Sequence, residues 1–501
     1  MAIDADNARL SGSASTLVHR IFRPTGTILF VLLVLLRTAS ATDAPNPNAN
    51  LIVFSPGAIS LNNPVTPTAP APPAIITVNI TAYDAQGNVL LPSAGNPLHL
   101  QVYGAPADVI SPTEVTLTSS SNGTSTNVQF TYSGAFFPNN MELAAWMADP
   151  SAGESLGTTL FVQQNRPACS FGSSSFDVDM LSSVPKAISV KAIVGPDTPD
   201  PSKSQTFTID TGSLGVIVPK PDLIMGSQVH GPGAQGQKFY NSSGFIFSGN
   251  YYLAPVSVEL SDHTFVQTNP ILVLVVDKVS CDPSFTHCHS SGGTPTLHYL
   301  GVGFDRNKTG PGDLFDSPAD NAFLQLTDAL SGTDINQGYI LSKQGVTLGI
   351  TAADASGFNG ILLQPNSSVP GDWNPIPGCY TFTKLPGHPQ FCGNLLLDVG
   401  IDQMYLDLLS DQRPDKSYDS HDRVPDGTEM NILAGTTSDA PMSYEFKAVQ
   451  PPKQPVGPAP KFAQWHNSST IFVNTGRRPL LEFNYLYSGQ CGQVGFQHVA
   501  K

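Results

Sequence analysis

In "FTIDTGSLGVIVPK", Phe207 to Lys220, alternating apolar residues run into Asp-Thr-Gly-Ser, and a second apolar run follows at once. The pattern is a strand ending at Asp210, a tight turn permitted by Gly212, and a second strand through "LGVIV". It puts an ionisable carboxylate in an apolar setting, which costs free energy unless the group is hydrogen-bonded or paired. "NLLLDVGIDQMYL" repeats the arrangement, with Asp398 after three apolar residues and before x-Gly400. The two aspartates are 188 residues apart (398 − 210), about half of the chain from residue 166 onward. A two-lobed, pseudo-symmetric protein gives that spacing. Two carboxyls that share a proton are a known and catalytic answer to the cost of burial.

The rest of the chain agrees with an all-β reading. Gly and Pro number 44 each, short alternating runs are frequent, and long amphipathic helices are scarce. The clearest helix candidates are "DNAFLQLTDAL", Asp320 to Leu330 with Asp320 as N-cap, and "IDQMYLDLLSD" after Asp398, with Asp402 as its N-cap. "PPKQPVGPAPK" reads as a surface loop. At 501 residues the chain has room for two or three domains. Its net charge of -15 argues against nucleic acid or an anionic membrane surface as partner.

Residues 1–41 have the organisation of a signal peptide. Arg20 and Arg23 precede the apolar run "ILFVLLVLL", and "RTASA" offers a small-x-small cleavage site ending at Ala41. Nine apolar residues are too few for a spanning helix, which needs about 20. The expectation is a secreted or cell-surface monomer with no stable membrane span after cleavage. Residues 42–73 read as a Pro-rich linker in which "LIVFSP" is an edge strand. Residues 74–165 hold six or seven short alternating segments, from "AIITVNITAY" to "TTLFVQQN", which suggests an immunoglobulin-like β-sandwich. None of the six cysteines precedes Cys169, and this asymmetry places a boundary near residue 166.

Residues 166–501 resemble the pepsin-like aspartic proteases. "IDTGSLGVIVP" matches that family's first motif without a gap. "YLGVGF", Tyr299 to Phe304, looks like the segment that passes behind the first aspartate loop. "FYNSSGFIFSGNYYLAPVSVEL" looks like the flap hairpin, with Tyr240 at the flap tyrosine. "VNTGRRPLLEFNYLYSGQCGQVGF" runs along the C-terminal segment, with Gly476 behind the second loop. The resemblance implies a bilobal double β-barrel. Asp210 and Asp398 would hold a catalytic water, and Thr211, Gly212, Ser213 and Gly400 would support the loops. It also implies a peptide or protein substrate lying extended under the flap.

The second loop departs from the family's Asp-Thr/Ser-Gly-Thr/Ser. Val399 cannot make the interloop hydrogen bond that Thr211 makes. Ile401 leaves Asp398 without the hydroxyl donor that Ser213 offers Asp210. Two functions follow from this site: a secreted aspartic endopeptidase, or a catalytically weak or inactive pepsin-fold surface protein that binds peptides or other ligands.

Export makes disulfides plausible. Cys281 and Cys288 bracket a short loop, and Cys379 and Cys392 bracket a hairpin. Cys169 and Cys491 remain as the third pair, in agreement with the family resemblance. His287 and His289 beside Cys281 and Cys288 would permit a metal site, but a local disulfide is the expectation in an exported chain. No P-loop, dinucleotide fingerprint or His-Glu-x-x-His motif occurs, and neither metal nor organic cofactor is expected. Six N-x-S/T sequons, among them Asn79 and Asn122, matter only in a host that glycosylates.

Overall fold

The computed structural model describes residues 171–499 apart from short segments (286–287, 289–295, 307–308, 311, 328–334, 367–368, 370, 384–389, 410–421 and 437–439). N-terminal to these it describes the backbone of nine strands between Leu51 and Gln164. The expected signal peptide and Cys169 lie outside the described residues.

The fold is all-β. Among the described residues, helix is confined to 3-10 turns of three or four residues. The nine N-terminal strands form a four-stranded and a five-stranded sheet. Leu51–Ser55, the edge strand expected in the linker, pairs with Ala74–Tyr83 at the margin of the first sheet.

Three further sheets build the remainder. A ten-stranded sheet takes its strands from between Ser189 and Thr327, and a seven-stranded sheet takes its strands from between Ile376 and Asn474. A six-stranded sheet draws on both ends of this region. It joins Phe176–Asp179, Gly338–Leu341, Gly345–Leu348 and Asn359–Leu362 to the C-terminal hairpin Phe483–Ser488 and Gln493–His498. Strands covered on both faces are continuous apolar runs, as in Leu214–Pro219 and the first half of Ile271–Cys281. Strands covered on one face alternate, as in Met442–Lys447.

The two aspartate loops stand in matching frames. Gln205–Asp210 leads into the first, Leu214–Pro219 leaves it, and Tyr299–Val302 runs between them, parallel to the former and antiparallel to the latter. Gln390–Leu396, Met404–Leu408 and Phe472–Asn474 repeat this around the second loop. Ile217, seven residues after Asp210 (217 − 210), pairs with Tyr299. Tyr405, seven after Asp398 (405 − 398), pairs with Asn474. Tyr299 and Asn474 therefore occupy equivalent positions in the two frames.

Neither expected helix forms. Over 318–327 the chain makes two 3-10 turns, Pro318–Asp320 and Ala322–Leu324, and then a strand, Leu326–Thr327. Asp320 is not an N-cap. Its carboxylate closes a capping box by accepting from the backbone N–H of Asp316 and Ser317. Asn321 then turns extended; its side chain accepts from Phe323 N–H and donates to Val302 O. Short polar side chains that bond nearby backbone compete with helix propagation in this way.

The segment after Asp398 is the strand Met404–Leu408, with alternate residues buried. Asp402 accordingly caps no helix. Its carbonyl accepts from Lys461 N–H, and its carboxylate lies 3.7 Å from Arg478 Nη1. A short apolar run does not distinguish helix from strand by period alone.

Candidate active site

Asp210 and Asp398 are brought together, each almost fully buried at 6% and 7% exposure. Asp210 Oδ1 accepts from Gly212 N–H at 2.7 Å, and its Oδ2 accepts from Ser213 Oγ at 2.7 Å. Asp398 Oδ1 accepts from Gly400 N–H at 2.9 Å, and its Oδ2 accepts from Asn474 Nδ2 at 2.8 Å. The two carboxyls lie within hydrogen-bonding reach of one another.

Both loop glycines are required for that approach. A Cβ on Gly212 would sit 2.5 Å from Asp398 Oδ2, and a Cβ on Gly400 would sit 2.4 Å from Asp210 Oδ1. Each glycine thus leaves room for the opposite carboxylate.

The expectation that Asp398 lacks a side-chain donor is corrected here. Ile401 has no hydroxyl, but Asn474 reaches in from the crossing strand and occupies the outer oxygen. The support between loops is also asymmetric. Thr211 Oγ1 donates to Leu397 O at 2.5 Å and accepts from Val399 N–H at 2.9 Å. Val399, fully buried, returns no such bond.

Arg477 braces the second loop from behind. Its Nε donates to Val399 O at 3.0 Å, its Nη2 to Gly400 O at 2.6 Å, and its Nη1 to Pro185 O at 3.4 Å. Burial lowers the guanidinium's proton affinity, and the charges of Asp402, Asp398 and Asp210 act in the opposite direction. In the sequence, "VNTGRR" points only to Gly476, and nothing in it marks Asn474 or Arg477 as parts of the site. Their roles depend on register between strands some 80 residues apart, which no local pattern encodes.

The electrostatics of the pair are unequal. Asp398 is pushed up to about 7, by burial foremost and then by the charge of Asp210. The donors on Asn474 and Gly400 pull the other way without cancelling this.

Tyr240 ends the first strand of the hairpin Gln235–Tyr240 and Phe245–Ala254. Its ring lies 5.2 Å from that of Tyr299 and 5.6 Å from that of Phe247. Burial, and then the charge of Asp210, holds its phenol well above the ordinary range. Tyr299 is pushed up to about 12 by the same two causes.

This hairpin is tied on both sides. The ammonium of Lys238 and the carboxylate of Asp313 form an ion pair at 2.8 Å, both buried, while Phe239 N–H donates to Thr309 Oγ1 and Gln237 N–H to Gly312 O. On the other side Phe245 pairs with Cys281, and Phe285 packs where a side chain on Gly244 would stand. Disulfides join Cys281 to Cys288 and Cys379 to Cys392, with Cα separations of 5.6 and 4.1 Å. Cys491 is disulfide-bonded as well. Among the described residues no group of three or more His, Cys, Asp or Glu is placed to hold a metal ion, and no helix is long and apolar enough to cross a membrane.

No family model matches this chain, and no curated protein matches it in sequence. Among solved structures, an aspartic proteinase from Irpex lacteus is similar at 13% identity and a TM-score of 0.39, over 65% of this chain and 98% of that one. At such values the likeness says nothing of activity.

Proposed function

We propose that residues 166–501 form a pepsin-like aspartic endopeptidase, carried on an exported chain behind an immunoglobulin-like module of residues 74–165. The observation that supports this best is the buried pair itself: Asp210 and Asp398 within hydrogen-bonding reach, each fixed by a glycine N–H and one side-chain donor. A structural ion pair would match opposite charges. Two carboxyls so close can hold only one charge comfortably and must share a proton.

Asp398, with the raised proton affinity, is the acid of the pair, which leaves Asp210 as the base. A water held between them attacks the scissile carbonyl as Asp210 takes its proton. Asp398 hydrogen-bonds the carbonyl oxygen and transfers its proton as the tetrahedral species forms. Collapse expels the amine, which leaves with a proton from Asp210. As the amine leaves, a hydroxyl of the tetrahedral diol returns its proton to Asp398, so peptide and water become acid and amine and the dyad is restored.

Denatured casein incubated from acidic to neutral pH tests this reading. Hydrolysis should be seen, and Asp210→Ala or Asp398→Ala should lower it by about 10²–10⁴-fold or more. A well-folded wild-type protein that cleaves nothing across the range, or cleavage that survives Asp210→Ala, would end the proposal.

A further inference from the structure

We infer that Asn474 positions the second carboxyl, standing in for the loop hydroxyl that Ile401 cannot provide. The two lobes distribute the same task differently. In the first, Ser213, three residues after Asp210, donates to that aspartate's outer oxygen at 2.7 Å. The equivalent crossing-strand position is then free to carry Tyr299, whose ring packs on Tyr240 and Phe247. In the second lobe the residue three after Asp398 is Ile401, and the position equivalent to Tyr299 is Asn474, whose amide donates to the outer oxygen at 2.8 Å. Each outer oxygen thus accepts from one side chain, supplied from the loop in one lobe and from the crossing strand in the other.

The amide of Asn474 is oriented by its own second bond. Its Oδ1 accepts from Gly476 N–H at 3.0 Å, which turns Nδ2 toward Asp398. Gly476 itself has φ +66°, and a Cβ there would lie 2.5 Å from Gln403 O, so the turn that presents this N–H is rigidly placed. Asn474 is buried at 7% exposure, so water does not readily replace its donor.

The charged and titratable groups that face Asp398 are Asp210 on the opposite loop, Arg477 behind the loop, and Tyr405 on the following strand. Neither Arg477 nor Tyr405 donates to the outer oxygen: the guanidinium donates to Val399 O, Gly400 O and Pro185 O, and the phenol accepts from Gln403. Loss of the Asn474 donor should therefore disfavour the ionised carboxylate and raise its titration midpoint by about one pH unit.

The catalytic consequence rests on the peptidase reading; the titration consequence does not. Asn474→Ala, Ile401→Ser and the double variant would be compared with wild type in two assays. One is casein hydrolysis as a function of pH. The other is the Asp398 titration in protein carrying ¹³C at the aspartate carboxyls, with the signal assigned from Asp398→Asn. Asn474→Ala should lower kcat about 10–10²-fold with KM little changed, and move the alkaline limb about one unit upward. Ile401→Ser alone should do little, because Asn474 already fills its role. In the double variant the new serine should bring back both the rate and the limb.

If wild type hydrolyses nothing, the carboxyl signal alone decides: a midpoint raised in Asn474→Ala and restored in the double variant upholds the inference while the peptidase reading falls. A midpoint that Asn474→Ala leaves unmoved, or that Ile401→Ser fails to restore, overturns it. Should Asn474→Ala not fold, a folded double variant with a wild-type midpoint supports the inference, and a double variant that also fails to fold counts against it.

Discussion

Asp398 gives the site its pH signature. Its carboxyl ordinarily titrates near 3.8 and is pushed up to about 7 when folded. In the proposed peptidase it is the partner that holds the proton, so activity should fall as pH rises through about 7. Stability follows the same proton. Between these two values the folded state holds a proton that the unfolded chain has released, so unfolding becomes easier as pH rises. Asp398→Asn cannot ionise. Whatever constant offset it introduces, its melting temperature relative to wild type should increase from about pH 4 to 7 and then level off. A pH-independent difference between the two would contradict a raised Asp398. Arg477 sets a second residue-scale expectation. Arg477→Met would leave Val399 O, Gly400 O and Pro185 O without this partner. A loss of about 2–4 kcal/mol should be read from the denaturant midpoint. Lysine should recover only part of it, because one ammonium cannot span three carbonyls as a planar guanidinium does.

At the scale of elements, the hairpin over Asp210 is a braced strand pair. The Lys238–Asp313 pair is fully desolvated, and Lys238→Met would leave Asp313 charged and buried with only neutral donors, those of Thr309 and Phe315. The cost should be about 3–5 kcal/mol. Hydrogen exchange should quicken first along Gln235–Tyr240; protection there that matched wild type would mean the ion pair does not brace the hairpin. Elements are also where sequence reading reached its limit. "LGVIVP" and "MYLDL" occupy equivalent places, yet only the first has the pattern of a strand and nothing else. Its apolar residues are continuous and β-branched, whereas the second mixes Met, Leu, Tyr and Asp at a spacing that also suits a helix. The choice falls to the partners, since Met404–Leu408 has a strand on either side, Phe472–Asn474 and Ala463–Asn467.

For the molecule as a whole, the six-stranded sheet joins Phe176–Asp179 to the C-terminal hairpin of Phe483–Ser488 and Gln493–His498. Gln493–His498 lies between Phe483–Ser488 and Asn359–Leu362, with Val494 and Phe496 fully buried. Deleting residues 493–501 would expose both neighbours and remove these side chains from the core. Such a chain should fail to reach a cooperative fold, as judged by loss of a sharp thermal transition. A truncated protein that melts like the full chain would show that the sheet does not depend on this strand.

Sequence alone determined the parts of this protein whose causes are local. Alternation and glycine turns marked strands, two apolar-Asp-x-Gly stretches marked the paired loops, and close cysteines marked the Cys281–Cys288 and Cys379–Cys392 bonds. Tertiary structure alone decided how the second loop is supported. Val399 and Ile401 announce missing hydroxyls, but nothing near them announces Asn474 or Arg477. Those two side chains reach the loop because parallel pairing lays Phe472–Asn474 beside Gln390–Leu396, across more than 70 residues of intervening chain. A hydrogen bond depends on distance in space, and the donor that satisfies a buried carboxylate can come from any strand the sheet brings within about 3 Å.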